Sequence, residues 1–164
     1  QTVTVTGVDD LYNDDNVSYT ITVDPSSSIA SYNTMMSSKV NGSNIDNDTA
    51  AITVGAKSGN TSEFGTTATI NVTLATIPTA NVSIVVTDND STEVSITPTT
   101  LTITPSTWNT TNQVTLTGQD DSDNDGNITF RISFDNATST DSKYNGMAPS
   151  SAYVDVINVN DYAD

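Results

Sequence analysis

The chain repeats itself. Residues 2–23, TVTVTGVDDLYNDDNVSYTITV, align without gaps onto 113–134, QVTLTGQDDSDNDGNITFRISF. Val3, Thr4, Thr6, Gly7, Asp9, Asp10, Asn13, Asp14, Asn16 and Ile21 recur identically 111 residues later. After a one-residue insertion Tyr32-Asn33 matches Tyr144-Asn145. The two segments close on Asn44-Ile45-Asp46-Asn47-Asp48 and on Asn158-Val159-Asn160-Asp161. Such a spacing suits one β-sandwich domain, which runs to about 100 residues. It divides the chain into a complete repeat, residues 49–164, and a partial repeat, residues 1–48, expected to hold only the last three strands of its fold. Three strands leave an apolar face and two sheet edges open, so the partial repeat calls for strands from sequence beyond it, from the second repeat or from another molecule. Beginning inside a strand-like segment, the chain reads as a mature or excised piece.

Between the repeat marks, apolar residues alternate with polar ones at period two. Val3 and Val5 begin the pattern, and Val17, Tyr19, Ile21 and Val23 continue it. Further runs are Ala68, Ile70, Val72 and Leu74; Val82, Ile84 and Val86; Val94 and Ile96; Leu101 and Ile103; Val114 and Leu116. Ile128, Phe130, Ile132 and Phe134 form the most apolar run, and Val154 and Val156 the last. The runs are short, β-branched and punctuated by Gly, Pro, Asn and Asp, and none has the length or period of a three-turn helix. An all-β, Ig-like antiparallel sandwich follows, with two sheets packed face to face.

Twenty acidic residues face four basic ones, a formal net charge of −16. Phosphate-bearing partners are repelled by such a field, which opposes nucleic acid and anionic membranes and favours cations, so neither a nucleic-acid partner nor membrane insertion is expected. No run reaches the ~20 apolar residues of a membrane span. The chain has neither Cys nor His, which removes thiol nucleophiles, thiolate and imidazole metal ligands, and the usual general base at neutral pH. The abundant Ser and Thr therefore have no His to activate them, and an enzyme is not expected. Richness in Thr and Asn, scarcity of Lys and strong acidity point to an extracellular or cell-surface location.

The string VTVTGVDD, an acidic loop, an apolar strand, then SxYN and a closing Asp-rich tail resemble Calx-beta-type repeats. Those occur in the regulatory region of sodium/calcium exchangers and in tandem arrays of microbial surface proteins. The stretch VSITPTTLTITPSTWNTTNQVTLTGQDD is similar to the bacterial surface-array form. The resemblance spans essentially the whole chain and implies a seven-stranded sandwich that binds calcium at one end. By that resemblance the complete repeat offers Asp120, Asp121 and Asp125 from the loop, Glu63 as an early acid, Asp88 or Asp90 as a mid-domain acid, and Asn160 and Asp161 at the close. The partial repeat offers Asp9, Asp10, Asp14 and Asp15, closed by Asp46 and Asp48. Gly126 stands where the first copy has Asp15, and Asn160 interrupts the closing acids, so the second site is expected to hold fewer ions or to hold them more weakly.

The residues alone carry part of that reading. Calcium takes six to eight hard oxygen ligands, and acidic flexible loops supply them. Residues 120–126, DDSDNDG, place four carboxylates in seven positions. Without an ion, two carboxylates ~5 Å apart repel by about 1–3 kcal/mol, and a bound cation reverses the sign. Turns favour Asp and Asn in any case; recurrence of the spacing in both copies, with a second acidic cluster at Asp46 and Asp48, tips the balance to Ca2+. Asp46 and Asp48 directly precede Ala50-Ala51-Ile52, where the complete repeat begins, so an ion there is expected to restrain the junction.

Ten N-x-[ST] sequons, at Asn16, Asn41, Asn47, Asn60, Asn71, Asn81, Asn89, Asn109, Asn127 and Asn136, are candidate glycosylation sites. Alternating Asn-x-Thr strands generate such triplets without selection for them. Trp108 reads as a packing residue rather than a sugar platform. The expected function is a calcium-rigidified structural or adhesive module, joined head-to-tail to copies of itself or to neighbouring repeats in a surface fibre. The alternative from another class is a calcium-dependent carbohydrate-binding module with glycans as partners.

Overall fold

A computed structural model describes residues 2–110, 112–121 and 125–160. The chain separates into two compact units, Gln1–Asp48 and Thr49–Asp164. The first holds strand β1 (Val17–Val23), a single helical turn α1 (Ala30–Asn33) and strand β2 (Ser38–Asn44). Among its described residues the second holds the strands β3 (Ile52–Val54), β4 (Thr61–Ser62), β5 (Thr67–Leu74), β6 (Val82–Asp88), β7 (Val94–Thr97), β8 (Thr100–Ile103), β9 (Asn112–Gly118), β10 (Ile128–Phe134), β11 (Thr138–Ser139) and β12 (Tyr153–Val159). No helix among the described residues is long and apolar enough to cross a membrane.

The second unit is a two-sheet β structure. One sheet runs β3-β5-β9-β7, and the other runs β11-β6-β10-β12-β4 with β8 also paired to β6. Every pairing is antiparallel except the short β12–β4 contact, where Asn158 lies beside Thr61. Alternation decides which side chains meet. Ala68, Ile70, Val72 and Leu74 of β5 and Val114 and Leu116 of β9 face inward from the first sheet. Val82, Ile84, Val86, Leu101, Ile103, Phe130, Ile132, Phe134 and Val156 face them from the second. Burying each Val, Leu, Ile or Phe among them stabilises the fold by roughly 1.5–3 kcal/mol. Trp108 packs against this cluster, and its carbonyl accepts the Leu74 amide at 3.3 Å.

The polar groups inside are paired. Tyr144, 1 % exposed, accepts from Thr76 N at 3.1 Å, donates to Thr76 O at 2.9 Å and lies 2.7 Å from Thr76 Oγ1. Asp141, also buried, accepts from the amides of Thr79 at 2.7 Å and Lys143 at 2.8 Å. Burial pushes its carboxyl up, but those donors outweigh burial and hold it below the usual carboxylate range. Its stabilising effect is therefore present above the unfolded pKa and lost as pH falls through the folded one.

In the first unit the ladder is shorter than expected. β1 and β2 pair antiparallel from Val17↔Asn44 to Val23↔Ser38, and that register is the one in which β10 and β12 place Ile128 against Asn158. The third predicted strand, around Val3 and Val5, has no ladder. The reason lies in the topology. Its counterpart, β9, hydrogen-bonds to β5 and β7 in the opposite sheet and never to β10 or β12. Residues 2–48 contain no counterpart of β5 or β7, the strands with which this segment would pair.

The core positions of the first unit are correspondingly bare. Val3 is 76 % exposed where Val114 is 0 %, and Tyr19 is 39 % exposed where Phe130 is 1 %. Val3, Val5, Tyr19, Ile21, Val23 and Val40 line an apolar groove of about 250 Å3.

Tyr144→Phe is expected to destabilise the second unit by about 1–3 kcal/mol, since it leaves the Thr76 amide and carbonyl buried without the hydroxyl. Thermal unfolding of the full chain measures it, and an unchanged melting temperature would remove the Tyr144–Thr76 network from the account of stability.

Candidate metal centre

The acidic end of the second unit is assembled by backbone contacts that the strands dictate. Glu93 stands one residue before β7. Its carbonyl accepts the Gln119 amide at 3.0 Å, just beyond the Val94↔Gly118 pair that aligns β7 with β9. That register brings Glu93 against the start of the acidic loop. Asp121 and Asp125, from that loop, join it, and one carboxylate oxygen of each of the three lies within 4.8 Å of the others. Glu93 is 4 % exposed, while the two aspartates are open to solvent. Three carboxylates gathered this way form a set that could hold a metal ion, hard oxygen donors suited to a hard cation.

The electrostatics agree. Burial pushes the Glu93 carboxyl above its usual range, a hydrogen bond from Asn158 partly opposes this, and the charges of Asp125, Asp90 and Asp121 raise it further. Glu93 Oε2 accepts from Asn158 Nδ2 at 3.0 Å, and the same nitrogen donates to Gln119 O at 3.2 Å.

The expected ligands fall into several groups. Asp121 and Asp125 belong to the triad; Asp120 is exposed beside it. Asn160, 5 % exposed, donates from Nδ2 to Asp125 Oδ1 at 3.4 Å, and its amide donates to Asn127 Oδ1 at 3.2 Å. Glu63 is buried just past β4, its amide donating to Val159 O at 3.2 Å, and is not one of the three. Asp88 ends β6. Asp90 folds its carboxylate back on Thr92, accepting from Oγ1 at 2.6 Å. Asp161, and Asp123 within the loop, lie outside the described residues. The acid that sequence reasoning passed over is Glu93. A signal was present: the chain has only two Glu among its twenty acidic residues, and one of them directly precedes a strand.

The first unit repeats much of this frame. Asp9, Asp10, Asp14, Asp46 and Asp48 line a cleft of about 210 Å3. The Asp46 amide donates to Asn16 Oδ1 at 2.9 Å, the bond that Asn160 makes to Asn127 one repeat later. Asp46 also accepts from the amides of Asp15 and Asp48, each at 2.8 Å. Partial burial, then Asp46, Asp9, Asp10 and Asp14 in turn, raise the Asp48 carboxyl. Asp15 has a left-handed backbone, φ 66°, and its counterpart Gly126 has φ 80°, so the exchange of an acid for glycine there keeps a backbone shape. All ten sequon asparagines are exposed.

No protein-family model and no curated protein matches the chain.

Glu93→Gln is expected to raise the melting temperature in the presence of a chelator, because it removes a buried charge among like charges while keeping an acceptor for Asn158. The sign with pH follows from the raised folded pKa. The native chain holds the Glu93 proton to higher pH than the unfolded chain, so the associated stability is full in acid and lost as pH rises through the folded value. The gap in melting temperature between variant and wild type should therefore widen from pH 4 to pH 7. A constant gap would mean that Glu93 carries no unfavourable charge.

Proposed function

We propose that the chain is an extracellular structural or adhesive module whose β-sandwich is made rigid by calcium at its acidic end. The observation that carries this reading is the Glu93, Asp121 and Asp125 cluster. A buried carboxylate placed beside two others is unfavourable by itself and becomes favourable when a divalent cation shares it. Calcium suits it better than magnesium, since the donors come from a loop and a strand end rather than from a rigid octahedral cage. The net charge of −16 supports a cation-loaded surface, and the recurrence of the acidic frame in Asp9, Asp10, Asp14, Asp46 and Asp48 supports a tandem, Calx-beta-type organisation with Ig-like sandwiches.

The open apolar groove of the first unit supports assembly. Head-to-tail completion by a neighbouring copy gives its strands a sheet to pair with, and a heterologous contact that does not close generates a fibre. Trp108, packed against the core, gives no support to a sugar-binding platform.

Thermal unfolding with calcium, with magnesium and with chelator tests the metal, with light scattering on the same samples. At about 100 times the dissociation constant, calcium should stabilise the fold by about 2.7 kcal/mol. Asp121→Asn combined with Asp125→Asn should abolish the effect. Equal melting temperatures with and without calcium would return the acidic cluster to an ordinary solvated turn. A monodisperse monomer at high concentration with calcium would sink the fibre.

A further inference from the structure

Asn158 is 1 % exposed, and its carboxamide enters the acidic end. Its nitrogen is spent twice, on Glu93 Oε2 at 3.0 Å and on Gln119 O at 3.2 Å. Its oxygen is spent on nothing: among the described residues, Asn158 Oδ1 is the buried side-chain atom without a hydrogen-bond partner. A buried acceptor left unpaired costs about 1–3 kcal/mol, so its orientation requires a reason. Oδ1 lies against the Cα of Gly118, 2.7 Å from where a side chain would begin, and the Ser62 carbonyl crowds the same spot.

The two ends of a carboxamide have the same shape, so a half-turn exchanges nitrogen and oxygen without displacing a neighbour. After that turn the nitrogen takes the place of Oδ1 beside Gly118, where the Ser62 carbonyl also lies, and no oxygen is left there as an unpaired acceptor. The oxygen then stands where the nitrogen was, about 3 Å from Glu93 Oε2 and from Gln119 O. Three oxygens turned on one another repel unless a cation lies between them. With ligand distances of ~2.3–2.6 Å, neighbouring oxygens around one calcium ion stand about 3 Å apart. The spacing already present around the Asn158 nitrogen is thus that of a coordination shell with a donor in one ligand's place.

We propose that Asn158 is a calcium ligand held in reserve: when the ion binds Glu93, Asp121 and Asp125, the Asn158 carboxamide turns over, and its oxygen and the Gln119 carbonyl join the shell. Without the ion, the same side chain donates to Glu93 and offsets part of the cost of burying it. The proposal rests on the calcium reading of the site and names two ligands beyond the acidic cluster. The first copy holds the matching pieces, with Asn44 Oδ1 over Gly7 and Asn44 Nδ2 donating to Val8 O at 3.4 Å. Its position opposite Val17 in the β1–β2 register is that of Asn158 opposite Ile128.

Isotope-labelled full-length chain, followed by NMR with chelator and then with calcium, tests this. The carboxylate carbons of Glu93, Asp121 and Asp125 should shift with calcium. The Asn158 side-chain amide protons should lose their contact with Glu93 and gain one to the Gly118 Hα. Asn158→Ala, checked for a dispersed spectrum in chelator, should bind calcium about tenfold more weakly. Carboxylate shifts with an Asn158 amide that keeps its contact to Glu93 would overturn the turnover and leave the calcium site standing. Absence of any carboxylate shift would overturn both.

Discussion

An apolar sheet face has to be covered, and that requirement organises this chain. In the second unit it is met from both sides: Phe130, Ile132, Phe134 and Val156 lean on Ala68, Ile70, Val114 and Leu116, all nearly free of solvent. The covering comes from the opposite sheet, which takes its strands from distant parts of the chain. β5 and β9 are neighbours in space although more than thirty residues separate them. A segment with counterparts of β10, β12 and β9 but none of β5 and β7 therefore leaves its apolar face uncovered. Residues 2–48 show the consequence, with a ladder of two strands and Val3, Val23 and Val40 more than half exposed.

Once the core has fixed the strands, the loops at one end are released from packing and free to carry charge. The β7–β9 register places Glu93 over Gln119, and Asp121 and Asp125 follow two and six residues beyond Gln119. The result is an arrangement that opposes itself electrostatically. Buried apolar area supplies the stability against which that opposition is maintained, and a cation bound there would convert it into a further stabilising contact. Asp141 is the contrasting case. It is buried to a similar extent, yet backbone amides satisfy it, so its carboxyl is held low where that of Glu93 is pushed high. Donors around one and acids around the other separate a structural carboxylate from a candidate ligand.

Much of the fold was legible because period-two alternation records burial directly. The runs at 17–23, 82–86, 101–103 and 128–134 coincide with β1, β6, β8 and β10 almost residue for residue. β2, SKVNGSN, was less legible, because Gly42 and polar neighbours interrupt any alternation; it is a strand through its pairing with β1. β4 and β11, two residues each, exist only as edges beside longer strands. At the site, the loop acids could be read from their spacing. Glu93 left only its rarity as one of two Glu and its place before a strand as a signal, because it sits among Thr and Val, and the register of β7 against β9 is what brings it to the loop.

Comparison of the two copies separates frame from charge. The amide bonds from Asp46 to Asn16 and from Asn160 to Asn127 match, as do the left-handed turns at Asp15 and Gly126 and the asparagine over glycine at Asn44 and Asn158. What differs is where the negative charge resides. The first copy closes on Asp46 and Asp48, and its acids crowd one cleft. The second has Asn160 in the place of Asp46 and takes a buried charge from Glu93, a residue outside the repeated 2–23 and 113–134 segments. If a divalent ion is held there, a neutral side chain in place of an acid lowers the charge that attracts it, and another carboxylate can restore that charge. Glu93, one residue before β7, stands where it could restore that charge. An ion held there would tie the loop that leads into β10 to the entrance of β7.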